Sequence, residues 1–132
     1  MADAMQFDLV SPERALSSLK ARAVQIPGSE GDMTAMPNHA PTITTLRPGL
    51  LSVTTDAGDE EHYFVTGGFA EITAEGTTVL AERAYTKDSE GKRAMETHLE
   101  EAKKAAEEAQ AEHKDAANKL VADFVHLLDQ MA

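Results

Sequence analysis

Two histidines in the first two thirds of the chain are the residues that could most directly do chemistry. His39 lies in MPNHAP and His62 in DEEHYF, next to acidic residues. With a carboxylate they could form the metal site of a small metal-dependent β-sandwich enzyme, although such sites typically use an H-x-H pair that this sequence lacks. The alternative is structural, because Pro37 and Pro41 flank His39 and would fix a turn around it. At this point both interpretations stay open.

Motifs for other catalytic chemistry are missing from the sequence. VTGGFAEI, residues 65–72, has paired glycines after an apolar run, but it has neither the GxxxxGK[ST] spacing nor a following helix signal. Neither GxSxG nor HExxH occurs. The chain has no cysteine, which excludes thiolate metal sites and a cysteine nucleophile. We therefore predict a non-catalytic chain without a cofactor, in which the glycine pair has a structural role.

The charge of the chain limits its partners. The formal net charge is −11 and tryptophan is absent, so we expect no nucleic-acid binding, which needs a basic face. The same charge disfavours adsorption to an anionic membrane surface. No apolar run approaches the roughly 20 residues of a membrane-spanning helix, so we expect no direct insertion. The N-terminus, MADAMQFDLVSPE, has neither the basic nor the apolar region of a signal peptide.

The first part of the chain, residues 1–86, has the pattern of many short strands. Apolar stretches such as MQFDLVS, ARAVQIPG, PTITTL, GLLSVTT, EHYFVTGGFAEIT and TTVLAE are separated by glycine and proline turns. Turn signals every 8 to 12 residues or so are typical of an antiparallel sandwich or barrel and not of βαβ units. We predict an N-terminal antiparallel β-sandwich domain.

The second part, residues 87–132, has the pattern of helix. A thin apolar stripe of Met95, Leu99 and alanines is followed by a thicker one that includes Phe124 and Leu127. The intervening QAEHKDAAN lacks a large apolar residue, which favours two antiparallel helices over one long coiled-coil arm. The predicted fold class is α+β: a β-sandwich followed by an α-helical hairpin. Such a chain suggests a module that binds other proteins, and an acidic adapter or chaperone is one such alternative.

Six short motifs that follow one another along the chain indicate a specific family. FDLVSPE, VQIPGSEGD, PNHAP, LRPG, YFVTGGFAEI and TVLAERA follow one another within residues 6–87, and this series resembles the epsilon subunit of bacterial and chloroplast F-type ATP synthases. The resemblance implies a sandwich of about ten strands and a C-terminal helix–turn–helix. It also implies a non-catalytic rotor subunit at the cytoplasmic face of a bacterial plasma membrane, which binds the gamma subunit and the ring of c subunits and couples ring rotation to ATP synthesis.

The resemblance also assigns contact residues. The family's ring-facing loop falls on Glu30, Gly31 and Asp32, whose negative charge could pair with basic loops of the c subunits. The gamma-facing surface includes the positions of Ser11 and His39. The family often has glycine where this chain has Asn38, and asparagine is a good replacement at positive φ, so we expect the turn to be kept.

The helical part departs from the family at its ATP-binding motif. The segment that matches this motif, SEGKRA, keeps Arg93 and Ala94 but has Glu90 in place of the aspartate. Gly91 is expected to weaken the first helical turn. This degenerate motif argues against ATP binding. The family's inhibitory state extends the second helix toward the alpha and beta subunits of the catalytic head, where its basic residues act. Few basic residues occur in this segment, so we predict weak or absent inhibition of ATP hydrolysis.

Overall fold

The computed structural model describes residues 4–13, 15–38 and 40–130, in which nine strands are followed by two helices. The strands are β1 (Met5–Val10), β2 (Ala15–Gly28), β3 (Gly31–Ala35), β4 (Thr42–Leu46), β5 (Gly49–Thr55), β6 (Glu60–Val65), β7 (Gly68–Ile72), β8 (Gly76–Ala81) and β9 (Ala84–Thr86). The helices are α1 (Ser89–Glu108) and α2 (Lys114–Gln130), with a short 3-10 turn (Ala111–His113) between them. No helix in these described ranges is long and apolar enough to cross a membrane.

The strands form one hydrogen-bonded sheet that folds into two layers. Its order is β1-β8-β7-β4-β2-β5-β6-β9, and β3 pairs with β2. The 14-residue β2 belongs to both layers, since its first half pairs with β1 and its second half with β3 and β5. All pairings are antiparallel except that of β1 with β8, which is parallel. The predicted antiparallel sandwich is confirmed, with this one parallel pair as a difference.

Alternating side chains of the strands build the sandwich core. In β1 the fully buried Phe7 and Leu9 point inward, while Asp8 between them is partly exposed. In β5 the same alternation buries Leu51 and Val53. This period of two is what a half-buried strand requires. The corner between β6 and β7 falls at the glycine pair predicted to be structural, so EHYFVTGGFAEIT is two strands and not one.

The two helices pack as a hairpin, as the apolar stripes predict. The backbone of Ala109 and Gln110 is extended, with ψ of 143° and 156°, and this ends α1 without a glycine. A second apolar cluster then forms between the helices and the sandwich, with Phe64, Met95, Ala102, Phe124 and Leu127 as its buried members. Because Phe64 belongs to β6, the hairpin covers the outer face of the β5, β6 and β9 layer.

The boundary between the two parts is short. Strand β9 ends at Thr86 and helix α1 begins at Ser89. The second cluster joins residues from both parts, so the predicted division into domains 1–86 and 87–132 stays a prediction about independent folding.

Candidate functional site

The predicted ring-facing residues lie in a tight hairpin between β2 and β3. Gly28 pairs with Gly31 across this hairpin, and Ser29 and Glu30 form the turn. Gly31 has a φ of 140°, which favours glycine. Glu30 and Asp32 are exposed. The side chain of Asp32 forms an ion pair. The side chain of Glu30 has no hydrogen bond or ion pair with any of the described residues.

That partner is Arg47, which follows β4. Its guanidinium donates to the backbone carbonyl of Gly28 and to the carboxylate of Asp32, so one side chain contacts both strands of the hairpin. The Arg47 side chain is only 16% exposed, against 67% for Asp32. The backbone N–H of Arg47 also donates to the carbonyl of Pro27 over 3.0 Å.

A second bridge attaches the turn to β4. The backbone N–H of Ser29 donates to the carbonyl of Thr45 over 2.9 Å, and the two hydroxyl oxygens are 2.6 Å apart. The β2–β3 hairpin is therefore fixed on two sides, and the loop predicted to meet the ring has a defined shape.

The outer face of the layer formed by β1, β8, β7 and β4 carries exposed apolar side chains. Ile43 is 74% exposed, Phe69 51% and Leu80 44%. Phe69 and Leu80 are directly paired across β7 and β8, and Leu80 is also paired with Val10 of β1. Val10, Leu80 and Phe69 are thus neighbours on three adjacent strands, and accessible apolar side chains that lie side by side are typical of an interaction surface. We call this row of side chains the apolar face.

A groove of about 390 Å³ lies along the apolar face, and Ser11 lines it together with Val10, Phe69 and Leu80. The structure therefore places Ser11, a predicted gamma contact, beside exposed apolar side chains. His39, the other predicted contact, lies outside the described residues. Its neighbour Asn38 has a φ of 68°, so the expected positive φ of the turn is confirmed.

His62, the second histidine of the alternative metal site, is used within the sheet. Its Nδ1 is 2.9 Å from the hydroxyl of Ser52 on the paired strand, and its Nε2 is 3.8 Å from a carboxylate oxygen of Glu60. In residues 4–13, 15–38 and 40–130, no group of three or more histidine, aspartate or glutamate side chains is arranged to hold a metal ion.

The degenerate ATP-binding segment begins α1. The carboxylate of Asp88 caps the helix by accepting from the hydroxyl of Thr86 over 2.6 Å and from the backbone N–H of Gly91 over 2.8 Å. These hydrogen bonds, that of Thr86 first, lower the pKa of Asp88. Glu90 and Arg93 are exposed, while Ala94 packs against the second cluster.

Gly91 has a role that the sequence analysis missed. That it weakens the first turn stays a prediction, and the structure adds that Gly91 is buried against the sandwich. A Cβ at this position would lie 2.1 Å from the carbonyl oxygen of Thr86 and 3.1 Å from the ring of Phe64. Such distances leave no room for a side chain, so the glycine lets the helix approach the sheet.

His98 joins three elements at the same interface. Its Nε2 is 3.2 Å from the hydroxyl of Tyr85 in β9, and its ring stacks on Phe124 of α2 with centroids 6.0 Å apart and planes inclined by 9°. Its Nδ1 lies 3.9 Å from a carboxylate oxygen of Glu101. We call the group formed by Tyr85, His98 and Phe124 the aromatic clamp.

Three of these residues, Arg47, Gly91 and His98, did not emerge from sequence reasoning as functional. The available signal for Arg47 was its place in the LRPG turn, one of the six motifs, but the sequence does not show that this turn lies beside the β2–β3 hairpin. For Gly91 and His98 the local sequence gives no comparable signal, because their partners lie in other elements.

Comparisons with known proteins agree with the two-part architecture. Residues 4–87 match the family model described as "ATP synthase, Delta/Epsilon chain, beta-sandwich domain". The chain is 59% identical to the ATP synthase epsilon chain of Ruegeria sp. (strain TM1040), with 100% of this chain and 99% of that one aligned. It is 55% identical to the epsilon chain of Rhodobacter capsulatus, over 94% and 93% of the two chains.

Two solved structures have the same fold. A chain of the Euglena gracilis mitochondrial ATP synthase (OSCP/F1/c-ring) aligns with a TM-score of 0.75 and 20% identity, over 96% of this chain and 80% of that one. A chain of the Tetrahymena thermophila mitochondrial ATP synthase (central stalk/c-ring) aligns with a TM-score of 0.58 and 12% identity, over 96% and 97%. From the family model and the full-length identity, this chain belongs to the ATP synthase epsilon-chain family, whose members are non-catalytic components of that complex.

Proposed function

We propose that this chain is a rotor subunit of the central stalk, which couples rotation of the c ring to the gamma subunit and thereby to ATP synthesis. The observation that carries the proposal is the 59% identity to an ATP synthase epsilon chain over the full length of both chains. Membership of this family argues against the metal-dependent enzyme with His39 and His62, and against a free-standing acidic adapter. In the assembled complex the chain would be peripheral to the bacterial plasma membrane, at its cytoplasmic face.

The apolar face is the proposed gamma contact. It lies on the layer opposite the one that the helical hairpin covers, so a partner can bind there while the hairpin stays in place. Exposed Phe69 and Leu80 beside a groove that includes Ser11 offer the apolar centre that stable interfaces require. The predicted contact at His39 is part of the same proposal.

A substitution in the apolar face tests this contact. A buried aromatic at the centre of an interface is worth about 2 kcal/mol or more, so Phe69→Asp should weaken binding to purified gamma by about thirtyfold. Val125, 41% exposed on α2, provides the matched control, and Val125→Asp should leave affinity unchanged. Isothermal titration calorimetry measures both. Equal affinity of the Phe69 variant and the parent would contradict the proposed surface, and absence of any complex with gamma would contradict the proposed function.

The loop of Glu30, Gly31 and Asp32 is the proposed ring contact. Two exposed carboxylates on a rigid turn would meet basic polar loops of the c subunits, which favours correct docking. Reversal of both charges, Glu30→Lys with Asp32→Lys, should impair ATP-driven proton pumping and leave ATP hydrolysis by the soluble head unchanged. If pumping and hydrolysis both stay at the parental level, the loop is only a turn.

We further propose that the hairpin inhibits ATP hydrolysis weakly or not at all. Lys119, one of the few basic residues of α2, is already engaged with Asp123 of the same helix at 3.1 Å. It therefore offers little free positive charge to acidic segments of the catalytic beta subunits. Deletion of residues 88–132 should leave ATP hydrolysis by the assembled enzyme nearly unchanged, whereas a large rise would contradict the proposal.

The degenerate motif is proposed not to bind ATP. The motif's apolar residue and aspartate are replaced by Ser89 and the longer Glu90, and the exposed Arg93 is the cation that remains from the motif. Equilibrium dialysis of the purified chain with labelled ATP should detect no binding at millimolar concentration. Saturable binding that Arg93→Ala abolishes would overturn this part of the proposal.

A further inference from the structure

We infer that Arg47 is a positioning residue for the ring-contact loop. Asp32 then contributes mainly as the acceptor that Arg47 holds, and not as a charge that meets the ring directly. This inference rests on the proposed function for the loop's contact with the ring, but its structural part concerns this chain alone. The family resemblance assigned Glu30, Gly31 and Asp32 to one ring-facing loop without distinguishing the two carboxylates, whereas the structure gives Glu30 and Asp32 different surroundings.

The guanidinium of Arg47 links the two strands of the hairpin, and we call its contacts with Gly28 and Asp32 the brace. Gly28 belongs to β2 and Asp32 to β3, and Arg47 donates to the carbonyl of the first and the carboxylate of the second. A planar guanidinium can hold two acceptors at once in a fixed geometry, which a lysine ammonium cannot do as well. The backbone N–H of Arg47 is bonded to Pro27 at 3.0 Å, so the brace is itself anchored to the base of the same hairpin.

Burial differs along the brace and indicates the direction of its action. The Arg47 side chain is mostly covered, at 16% exposure, while Asp32 is 67% exposed. The arginine is therefore part of the framework, and the aspartate is the exposed side chain that it holds. A partner that approaches the loop meets an Asp32 whose charge is partly compensated by Arg47. At the tip it meets Glu30, for which the described part of the chain gives no ion pair.

Hydrogen exchange of the full-length chain tests the structural part. Arg47→Ala removes hydrogen bonds from a charged group, which stabilise the hairpin against local opening. We therefore expect the β3 amides of this variant to exchange about tenfold faster than in the parent. Asp32→Asn should show a smaller acceleration of the same amides, and Glu30→Gln, the matched control on the same turn, should show none. Unchanged β3 exchange in Arg47→Ala would overturn the inference. Thermal unfolding of each variant identifies a general loss of stability, and Arg47→Lys, which keeps the charge, should restore part of the protection.

A double-mutant cycle in the assembled enzyme tests the functional part. The measured quantity is proton pumping per ATP hydrolysed in inverted membrane vesicles. If Asp32 acts through Arg47, Asp32→Asn should cause no further loss in the Arg47→Ala background. Losses that multiply would mean that Asp32 contacts the ring independently, and would overturn the inference.

The outcomes also separate this inference from the proposed function. If every loop variant, including the double charge reversal, pumps normally while β3 exchange responds as expected, the ring contact is wrong and the brace is right. If the charge reversal impairs pumping but Arg47→Ala changes neither exchange nor pumping, the ring contact stands and the brace is wrong.

Discussion

Gly91→Ala should loosen the helical hairpin from the sandwich although alanine is the better helix former. The added Cβ would lie 2.1 Å from the carbonyl oxygen of Thr86 and 3.1 Å from the ring of Phe64. The carbonyl of Thr86 accepts a hydrogen bond from the backbone N–H of Asp88 at 2.9 Å, and Thr86 is paired with Tyr63 in the adjacent strand, so moving this carbonyl would disturb both contacts. The helix must then shift outward, and every contact of the second cluster shifts with it.

The balance of the two effects sets the sign. Overpacking of a well-packed site costs about 1–3 kcal/mol, whereas replacing a helical glycine by alanine gains about 1 kcal/mol at most. Because the added Cβ would meet backbone at 2.1 Å, we take the upper part of the overpacking range, about 2–3 kcal/mol, and expect the free energy of unfolding to fall by about 1–2 kcal/mol. Urea unfolding followed by far-ultraviolet circular dichroism measures this change, and hydrogen exchange of the β6 amides reports on the face that the hairpin covers.

A matched control separates packing from helix propensity. Thr97 is exposed in the middle of α1, so Thr97→Ala raises helix propensity without meeting the sandwich. That variant should be as stable as the parent or more so, by up to about 0.7 kcal/mol. A Gly91→Ala chain that is equally stable, with unchanged protection of β6, would refute the claim that the glycine is there for close approach.

Three further predictions concern ionisation and the aromatic clamp. The hydroxyl of Thr86 lowers the pKa of Asp88, so the stability that Asp88 contributes is present above its ordinary pKa and is lost as the pH falls through the pKa of the folded state. Asp88→Asn should therefore be less stable than the parent near pH 7. Urea unfolding should show that this difference becomes smaller in acid. Burial raises the pKa of Tyr63, so the parent should lose stability as the pH rises above about 10, and Tyr63→Phe should flatten that loss in an alkaline unfolding series. His98→Ala removes a stacked ring and a hydrogen bond and should lower the free energy of unfolding by about 1–2 kcal/mol, about twice the effect of Tyr85→Phe, which removes the hydrogen bond alone. Equal unfolding midpoints of the His98 variant and the parent would contradict the role of the clamp.

The regular elements could be predicted because their patterns are local. GLLSVTT buries alternate residues from Gly49 to Val53 and forms β5 over the residues expected. The stripe through Met95 and Ala102 is buried in α1. β3 was missed because its alternation is short: only Met33 and Ala35 are apolar, in a segment that lies among turn residues. The hairpin turn before it places this segment beside β2. β9 is three residues long and gives too short a pattern to detect.

The contacts around the candidate surfaces were harder to predict, because they join distant parts of the chain. Arg47 reads as a turn residue until the structure places it against Gly28 and Asp32. Gly91 reads as a weak helix position until Phe64 lies next to it. In both cases the local preference of the residue is overridden by a tertiary contact, and sequence periodicity carries no information about which elements meet.

The parallel pairing of β1 with β8 has a consequence for how the sandwich forms. Gln6 pairs with Gly76, so the first strand gains its second neighbour only when almost the whole sandwich sequence is available. Closing so long a loop costs conformational entropy, which is offset only when the β1–β8 contacts form. Proteins dominated by such distant pairings fold in milliseconds to seconds. During synthesis, β1 can pair with β2 at once but must wait for β8 with its other edge open. An unpaired edge is a template for wrong association, so the nascent chain is most exposed to aggregation before β8 emerges.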